Sequence, residues 1–396
     1  MRIDLLDFTL PAERIAQQPA ETRDGARMLV VEPHGPFEVG LRDAAIVDLP
    51  RELPSNALLV VNDTQVIPAR LFAKKPETGG KVEIFLVRRE GPGFYERKVP
   101  GADGEETTLK IEGEVWRALG KSSKPLRFDQ DLEVGEDLSA RILGRSTDDG
   151  LLRVLLMSTR SIDAAVDDYG HVPLPPYIKR VDEPGDIERY QTVFARQRGS
   201  VAAPTAGLHL STTLLGRLAI AGIELCTVTL HVGLGTFQPV QVDDLDAHPM
   251  HAERYAVSRA TAEAVNKAKR EGRPVFCVGT TAVRAIETAA RIAEERGSDA
   301  AIVACEGETR LLLQPGERLR VVDGLLTNFH LPKSTLLALV ATFLGVENVH
   351  TAYAHAVARE YRFYSYGDAM LIKRALAPEA ALASVDRRCR MLDSAR

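Results

Sequence analysis

The stretch PVFCVGTTAVRAIETAARIAEERG, residues 274–297, gives the clearest indication of the fold class. Its first six residues predict a short buried strand, and the remainder predicts a helix that begins near the Thr-Thr pair and ends before Gly297. A helix followed directly by a strand is predicted upstream, in STTLLGRLAIAG (211–222) and IELCTVTLHV (223–232). Because alternating strands and helices are typical of α/β proteins, we expect a main domain with a mostly parallel sheet and flanking helices.

A different pattern occupies residues 63–155. Short β-rich runs such as KVEIFLVRRE (81–90) and GLLRVLLMS (150–158) are separated by Gly-Gly, Gly-Pro-Gly and Asp-Asp-Gly. This spacing favours an antiparallel meander or a small barrel with few helices. We therefore predict a small antiparallel β-barrel domain at 63–155, inserted into a discontinuous α/β domain formed by 1–62 and 156–396.

Composition and charge limit the functional classes. The chain has 396 residues, of which 45% are hydrophobic and 27% charged, as in a water-soluble protein of two or three domains. A net charge of −5 argues against indiscriminate nucleic-acid binding but leaves room for a local basic face. The four cysteines lack the spacing of a zinc site, and His248 and His251 have no third ligand nearby, so no metal is expected. The longest apolar run, LLALVATFL (336–344), is shorter than the roughly 20 residues of a membrane helix, and no signal-peptide pattern is present; we expect a cytoplasmic protein without a membrane partner.

Two segments are candidate ligand-binding loops. GSVAAPTAGLHL (199–210) combines His209 with small residues, which allow a ligand to approach the backbone closely. The Gly-Thr-Thr junction at 279–281 joins the end of a predicted strand to a helix start. Such a junction is either an anion-binding site or a simple capped turn, and the sequence leaves both interpretations open.

Two further motifs depart from the nucleotide-binding patterns that they resemble. In HLPKST (330–335), Pro332 stands where a Walker loop requires glycine, so Lys333 and Ser334 either hold an anion or belong to an ordinary helix cap. HVGLGTF (231–237) contains Gly-x-Gly but not the longer dinucleotide-binding fingerprint. Neither motif predicts a nucleoside triphosphate or dinucleotide site.

Two other segments each allow a structural and a functional interpretation. WRALGKSSKPLRF (116–128) contains four basic residues and no acidic one. It is either a solvated face or, with Trp116, an RNA-facing surface. YRFYSYGDAML (361–371) interleaves aromatic residues with Asp368, and forms either a core strand or an aromatic wall with a carboxylate for a purine or a sulfonium cation.

Taken together, the motifs resemble the S-adenosylmethionine:tRNA ribosyltransferase-isomerase family of bacterial queuosine biosynthesis. The resemblance extends from residue 7 to residue 372 in the family's order. The matching stretches are DFTLPAERIAQQPAETRDGARMLV, LLVVNDTQVIPARL, GGKVEIFLV, YGHVPLPPYIKR, ERYQTVFA, GSVAAPTAGLHL, TLHVGLGTFQPV, MHAERY, GTTAVRAIE, DGLLTNFHLPKSTLLALV and YRFYSYGDAMLI.

The resemblance implies a transferase that uses the ribosyl part of S-adenosylmethionine rather than its methyl group. This group is transferred and isomerised onto 7-aminomethyl-7-deazaguanine at the tRNA wobble position, giving epoxyqueuosine in tRNA, adenine and methionine. It also implies an α/β domain with an inserted barrel, S-adenosylmethionine as a consumed substrate, and no metal or separate cofactor; we expect a monomer. Two alternatives are an S-adenosylmethionine-dependent tRNA methyltransferase, whose acidic Gly-rich first loop is absent, and a non-catalytic RNA-binding protein, which leaves the Gly- and His-rich loops unexplained.

The implied chemistry predicts three kinds of site residue. The sulfonium acidifies the ribose C5′ hydrogens, so a base that titrates near neutral pH is needed, which favours histidine; the methionine carboxylate needs a cation or a helix N-terminus. As base we expect His209, then His231, then His330, although each could instead be a satisfied core histidine. For S-adenosylmethionine we expect Thr205, Gly207, Gly233, Gly235, Thr280, Thr281, Lys333, Ser334 and Asp368. For tRNA we expect Arg70, Arg117, Lys121, Lys124, Arg127, Lys179 and Arg180.

Overall fold

The computed structural model of the protein describes residues 1–100, 105–233 and 240–394. The strand and helix predicted within 274–297 are present as β15 (Val275–Val278) and α6 (Thr280–Glu295). All residues of β15 are buried, and Gly279 makes the turn into α6 with a φ of 85°, in the left-handed region that favours glycine. The sequence therefore predicts this strand–turn–helix unit correctly.

A nine-stranded sheet forms the centre of the larger part of the chain, in the order β16 (Cys305–Thr309), β14 (Glu253–Val257), β13 (Glu224–Leu230), β3 (Leu58–Asn62), β15, β17 (Gly324–Asn328), β18 (Ala369–Ile372), β1 (Arg27–Gly35) and β2 (Glu38–Ala45). The pairs β13–β3, β3–β15, β15–β17 and β1–β18 are parallel. The pairs β16–β14, β14–β13, β17–β18 and β1–β2 are antiparallel. The expectation of a mostly parallel sheet is therefore corrected to a mixed sheet, in which β13, β3, β15 and β17 at the centre, and separately β18 and β1, form parallel pairs.

Helices cover both faces of this sheet. Besides α6, the α-helices of the described residues are α1 (Leu49–Glu52), α2 (Ile162–Tyr169), α3 (Pro184–Arg189), α4 (Thr212–Ile220), α5 (Arg259–Arg270), α7 (Thr335–Leu344), α8 (Val346–Ala358) and α9 (Pro378–Ser394). Of these, α2 packs on the second sheet, which is described below. Alternate residues of β3 point to opposite faces. Leu58 and Val60 pack in one core with α5 to α8, while Leu59 and Val61 pack in another with α1 and α4. In the described part of the chain no single helix could span a membrane, and one sharply bent pair, α7 with α8, meets the length and composition test.

A second sheet has its own hydrophobic core. Its strands are β11 (Gly170–His171), β5 (Arg70–Lys74), β6 (Lys81–Pro100), β7 (Glu106–Ser122), β10 (Leu152–Ser158), β9 (Leu138–Arg145) and β8 (Asp131–Glu133), in that order. Every pairing is antiparallel. Because β5 pairs with β8 as well as with β6, the last strand of this order is joined back to β5. A short parallel pair, β4 (Thr64–Val66) with β12 (Gln197–Ser200), accompanies the two larger sheets.

Candidate active site

A cavity lies where two parallel central strands end. Because β15 and β17 are parallel neighbours, the chain leaves both at the same edge of the sheet, which is where α/β proteins bind ligands. The loop before the 3-10 helix at Thr205–His209 forms another wall. We call this the Gly279 cavity. The residues that line it include Tyr177, Thr205, Gly279, Thr280, Thr281, Thr327, Asn328, His330, Ser334 and Tyr364.

The N-terminus of α6 faces this cavity. No side chain caps it, and the first-turn N–H groups of an α-helix have no partners within the helix. The Thr281 hydroxyl accepts a hydrogen bond from Asn62 Nδ2 (3.1 Å), which fixes the side chain beside the helix start. Together with the helix dipole, these N–H groups favour an electron-rich ligand atom.

Asn328 connects the cavity wall to His209. Thr205 Oγ1 donates to Asn328 Oδ1 (2.9 Å), and Asn328 Nδ2 donates to His209 Nε2 (3.0 Å). His209 therefore accepts at Nε2, and burial lowers its pKa to about 4. The ring is buried and does not line the cavity. His209 thus contacts the cavity indirectly, through Asn328.

His330 lines the cavity directly. Its Nε2 lies 2.8 Å from Thr327 Oγ1, and its backbone N–H donates to the hydroxyl of Tyr353 (3.0 Å). Burial lowers the pKa of His330 to about 3, so the ring is neutral at pH 7. His231 is outside the lining: its Nδ1 lies 2.8 Å from Thr64 Oγ1, and burial lowers its pKa as well. Of the three predicted histidines, His330 alone is placed against the cavity.

Two stacked tyrosines form an aromatic wall. The rings of Tyr177 and Tyr364 have centroids 4.2 Å apart and both line the cavity. Tyr364 adopts a φ of 71°, which is uncommon for a bulky residue, and its buried hydroxyl has no hydrogen-bond partner among the described residues. The sequence pattern indicated aromatic residues at 361–371, but the contribution of Tyr177, far away in sequence, carried no local signal.

The predicted S-adenosylmethionine contacts divide into two groups. Thr205, Thr280, Thr281 and Ser334 line the cavity, and Ser334 also caps α7 by accepting from the N–H of Leu337 (3.2 Å). The second group is not part of the described cavity lining and consists of Gly207, Gly233, Gly235, Lys333 and Asp368. Gly235 lies outside the described residues.

Two of the remaining predicted contacts have other partners. Asp368 is buried away from the cavity, and accepts from the backbone N–H groups of Arg27 (3.0 Å) and Arg362 (2.8 Å). Lys333 is half-exposed, and its Nζ lies 2.7 Å from Asp7 Oδ2, which raises the pKa of the lysine. Each of these two charges therefore has a partner within the protein, and neither side chain lines the cavity.

The two described glycines of this set also lie outside the cavity lining. A side chain at Gly207 would lie 2.9 Å from Phe194, so this glycine allows close packing. Gly233 donates its N–H to Glu253 Oε1 (3.1 Å).

The predicted tRNA contacts are likewise divided. Arg117 is buried and pairs with Glu90, with Asp149 (3.0 Å) and with Asp148 (3.6 Å), so its guanidinium is unavailable to a phosphate. Trp116 is buried too. Both side chains are therefore buried rather than exposed, because carboxylates distant in sequence surround the arginine.

The other basic residues differ in how far their charge is balanced. Arg180 forms two hydrogen bonds to the buried Asp186 (2.6 and 2.8 Å), and Arg70 pairs with Glu83 (2.7 Å). The four remaining predicted residues are exposed: Lys121, Lys124, Arg127 and Lys179.

Comparison with known proteins gives full-length matches. The family described as "Queuosine biosynthesis protein" matches residues 3–372. An S-adenosylmethionine:tRNA ribosyltransferase-isomerase of Sorangium cellulosum is 53% identical over 382 residues, covering 96% of this chain and 100% of that protein. One of the same name from Thermus thermophilus is 48% identical, covering 93% of this chain and 99% of that protein. A crystal structure of an S-adenosylmethionine tRNA ribosyltransferase from Thermotoga maritima is 31% identical, with a TM-score of 0.49, and covers 93% of this chain and 99% of that one.

Proposed function

The chain belongs to the queuosine biosynthesis protein family, and we propose that it carries out the S-adenosylmethionine:tRNA ribosyltransferase-isomerase reaction with the Gly279 cavity as its active site. The ribosyl part of S-adenosylmethionine is transferred and isomerised onto 7-aminomethyl-7-deazaguanine at the tRNA wobble position, releasing adenine and methionine. The observation that carries this activity is the match, over nearly the whole length of both chains, to relatives that bear its name.

The lining of the Gly279 cavity supports its role. The Tyr177–Tyr364 wall offers aromatic faces, which suit both a purine and a sulfonium cation. Neutral histidines around the cavity avoid repulsion of that cation.

We assign the base to His330 and not to His209, which revises the order expected from sequence. A base must first be within reach of the proton that it removes, and His330 is the predicted histidine that lines the cavity. The ring is neutral at pH 7, because burial lowers its pKa. Removal of a C5′ proton would then lead to ring opening with loss of adenine, attack by the amine of the modified base, and closure of the epoxide with loss of methionine.

His209 is assigned a positioning role. Asn328 donates to His209 and accepts from Thr205, so the imidazole fixes the amide orientation and the amide fixes the hydroxyl at the cavity wall. Loss of the imidazole leaves the Asn328 amide without a partner on that side. The reaction rate is then lowered through a misplaced Thr205 hydroxyl.

For tRNA we propose the exposed basic residues of the second sheet. Lys121, Lys124 and Arg127 are on β7 and the loop after it. Residues 63–155 are proposed as an inserted domain that holds this basic face, and phosphate contacts there would supply salt-dependent affinity. We further propose that the chain acts as a monomer, with S-adenosylmethionine and tRNA as its substrates and without a separate cofactor.

The direct test is a product assay. The purified protein is incubated with S-adenosylmethionine and tRNA that carries 7-aminomethyl-7-deazaguanine; the expected products are adenine and methionine in equal amounts. tRNA with guanine at the wobble position is the control and should release neither product. Release of S-adenosylhomocysteine would identify a methyltransferase, and the absence of any product would identify an RNA-binding protein.

A further inference from the structure

A second cavity adjoins the Gly279 cavity. Leu336, in the first turn of α7, lines both cavities. Helix α6 also contributes to both, through Thr280 and Thr281 in the first and Arg284, one turn later, in the second. We call the second one the Arg284 cavity. A ligand with two linked parts could therefore occupy both cavities.

Arg284 has an unused hydrogen-bond donor at this place. The residue is 7% exposed, its Nε donates to the carbonyl of Leu311 (2.9 Å), and its Nη1 pairs with the Glu253 carboxylate. Its Nη2 is buried and has no partner among the described residues. Since a buried donor without a partner is unfavourable, this nitrogen is a candidate contact for a ligand.

The charge of the pair restricts the ligand. Burial lowers the pKa of Arg284 only to about 10, so the guanidinium stays charged at pH 7, beside the buried Glu253. The pair is neutral as a whole, and a ligand that adds net charge would be unfavourable in this buried position. A zwitterion is also neutral as a whole. Its negative group can face Arg284 and its positive group can face Glu253.

We propose that the Arg284 cavity binds the amino-acid end of S-adenosylmethionine, with Arg284 Nη2 donating to the α-carboxylate and Glu253 accepting from the α-ammonium group. This inference rests on the proposed function, because it takes the adenosyl part to lie in the Gly279 cavity. Met250 and Leu339 supply apolar surface for the methylene groups. The start of α7 adds a partial positive charge near the carboxylate.

The α-carboxylate of S-adenosylmethionine is thereby placed in the Arg284 cavity. The sequence indicates instead the Gly-Thr-Thr junction at the N-terminus of α6 as a candidate anion-binding site. That helix start offers N–H donors beside the hydroxyls of Thr280 and Thr281, but the described residues that line the Gly279 cavity include no acidic group for the ammonium. The Arg284 cavity offers a donor for one charge and an acceptor for the other. A phosphate in the Arg284 cavity would bring its negative charge next to the Glu253 carboxylate. The single guanidinium of Arg284 would then have to balance both negative groups, which makes a phosphate a poorer match than a zwitterion.

The test compares substrates with and without the carboxylate. Adenine release is measured at saturating substrate tRNA with S-adenosylmethionine and with its decarboxylated analogue, and 5′-methylthioadenosine serves as a competitive inhibitor. In the wild type, removal of the carboxylate should lower kcat/KM by roughly 10- to 100-fold, as expected for loss of one charge-assisted hydrogen bond. The ratio of kcat/KM for S-adenosylmethionine to kcat/KM for the decarboxylated analogue should fall to about 1 in Arg284→Gln. The inhibition constant of 5′-methylthioadenosine should be unchanged.

Two further variants keep the test decisive. If Arg284→Gln does not fold, the double variant Glu253→Gln/Arg284→Met removes both charges together, and should lose affinity for S-adenosylmethionine while retaining that for 5′-methylthioadenosine. Arg296→Met changes an exposed arginine at the end of the same helix and should preserve the wild-type ratio. A wild-type ratio in a folded Arg284→Gln protein would overturn this proposal alone. Failure of the wild type to release adenine would instead overturn the proposed function.

Discussion

Acidification should destabilise this protein through the buried histidines of the candidate site. Burial lowers the pKa of His330 to about 3 and that of His209 to about 4, whereas an unfolded histidine has a pKa of about 6.5. Below about pH 6.5 the unfolded chain therefore binds protons that the folded chain does not, and the free energy of unfolding falls as the pH falls. At pH 5, about 1.5 pH units below the unfolded value, each ring should contribute a loss of about 2 kcal/mol.

Urea unfolding at pH 7.5 and pH 5.0 measures this loss. His330→Gln, which cannot titrate, should lose about 2 kcal/mol less than the wild type between the two pH values. His34→Gln is the matched control, because His34 is exposed, and it should lose as much as the wild type. If the wild type and His330→Gln lost the same free energy of unfolding between the two pH values, His330 would not be a buried neutral ring in the folded state.

The remaining predictions concern the basic face and the helix start. Replacing the three exposed basic residues of 121–127 by Gln should reduce the slope of log affinity for tRNA against log salt by roughly 2–3, as measured by filter binding; an unchanged slope would exclude these residues as phosphate contacts. Arg117→Met should leave that slope unchanged while lowering the free energy of unfolding by roughly 1–2 kcal/mol in urea titrations, because the hydrogen bonds of the buried guanidinium to Glu90 and Asp149 are lost, whereas Glu90 keeps Arg153 as a partner. Gly279→Ala and the control Gly272→Ala both place a side chain at positive φ (85° and 65°), and each should lose roughly 1–2 kcal/mol of stability. The KM for S-adenosylmethionine should rise in Gly279→Ala alone, and an equal rise in the control would contradict the placement of the site.

Local sequence signals predict the elements around the site but not their pairing. The strand–turn–helix unit of 274–297 follows from its apolar pattern and flanking glycines. The β-rich runs from 81 onward do form antiparallel strands, but Gly91-Pro92-Gly93, which the sequence pattern predicts to separate two runs, lies inside the single long strand β6. The direction of β18 against β17 could not be predicted, because it depends on how the two helices between them, α7 and α8, return the chain to the sheet.

Long-range partners explain the errors in the predicted site. Arg117 lies in a run without acidic residues, yet Glu90 and Asp149, at least 27 positions away, surround it in the fold. Arg284 occurs in an ordinary amphipathic helix pattern, and its partner Glu253 is 31 positions away. Such contacts leave no trace in the spacing of neighbouring residues, so charge runs in a sequence overestimate exposed charge and miss buried charge.

The most direct test of the proposed active site is exchange of the C5′ hydrogens of S-adenosylmethionine with solvent, followed together with adenine release in the presence of substrate tRNA. If His330 in the Gly279 cavity is the base, His330→Ala should abolish the exchange and lower turnover by roughly 10²–10⁴-fold, with little change in the KM for S-adenosylmethionine. His209→Ala, which removes a positioning group, should retain measurable exchange. Normal exchange in His330→Ala, together with its loss in His209→Ala, would contradict the account and return the role of base to His209.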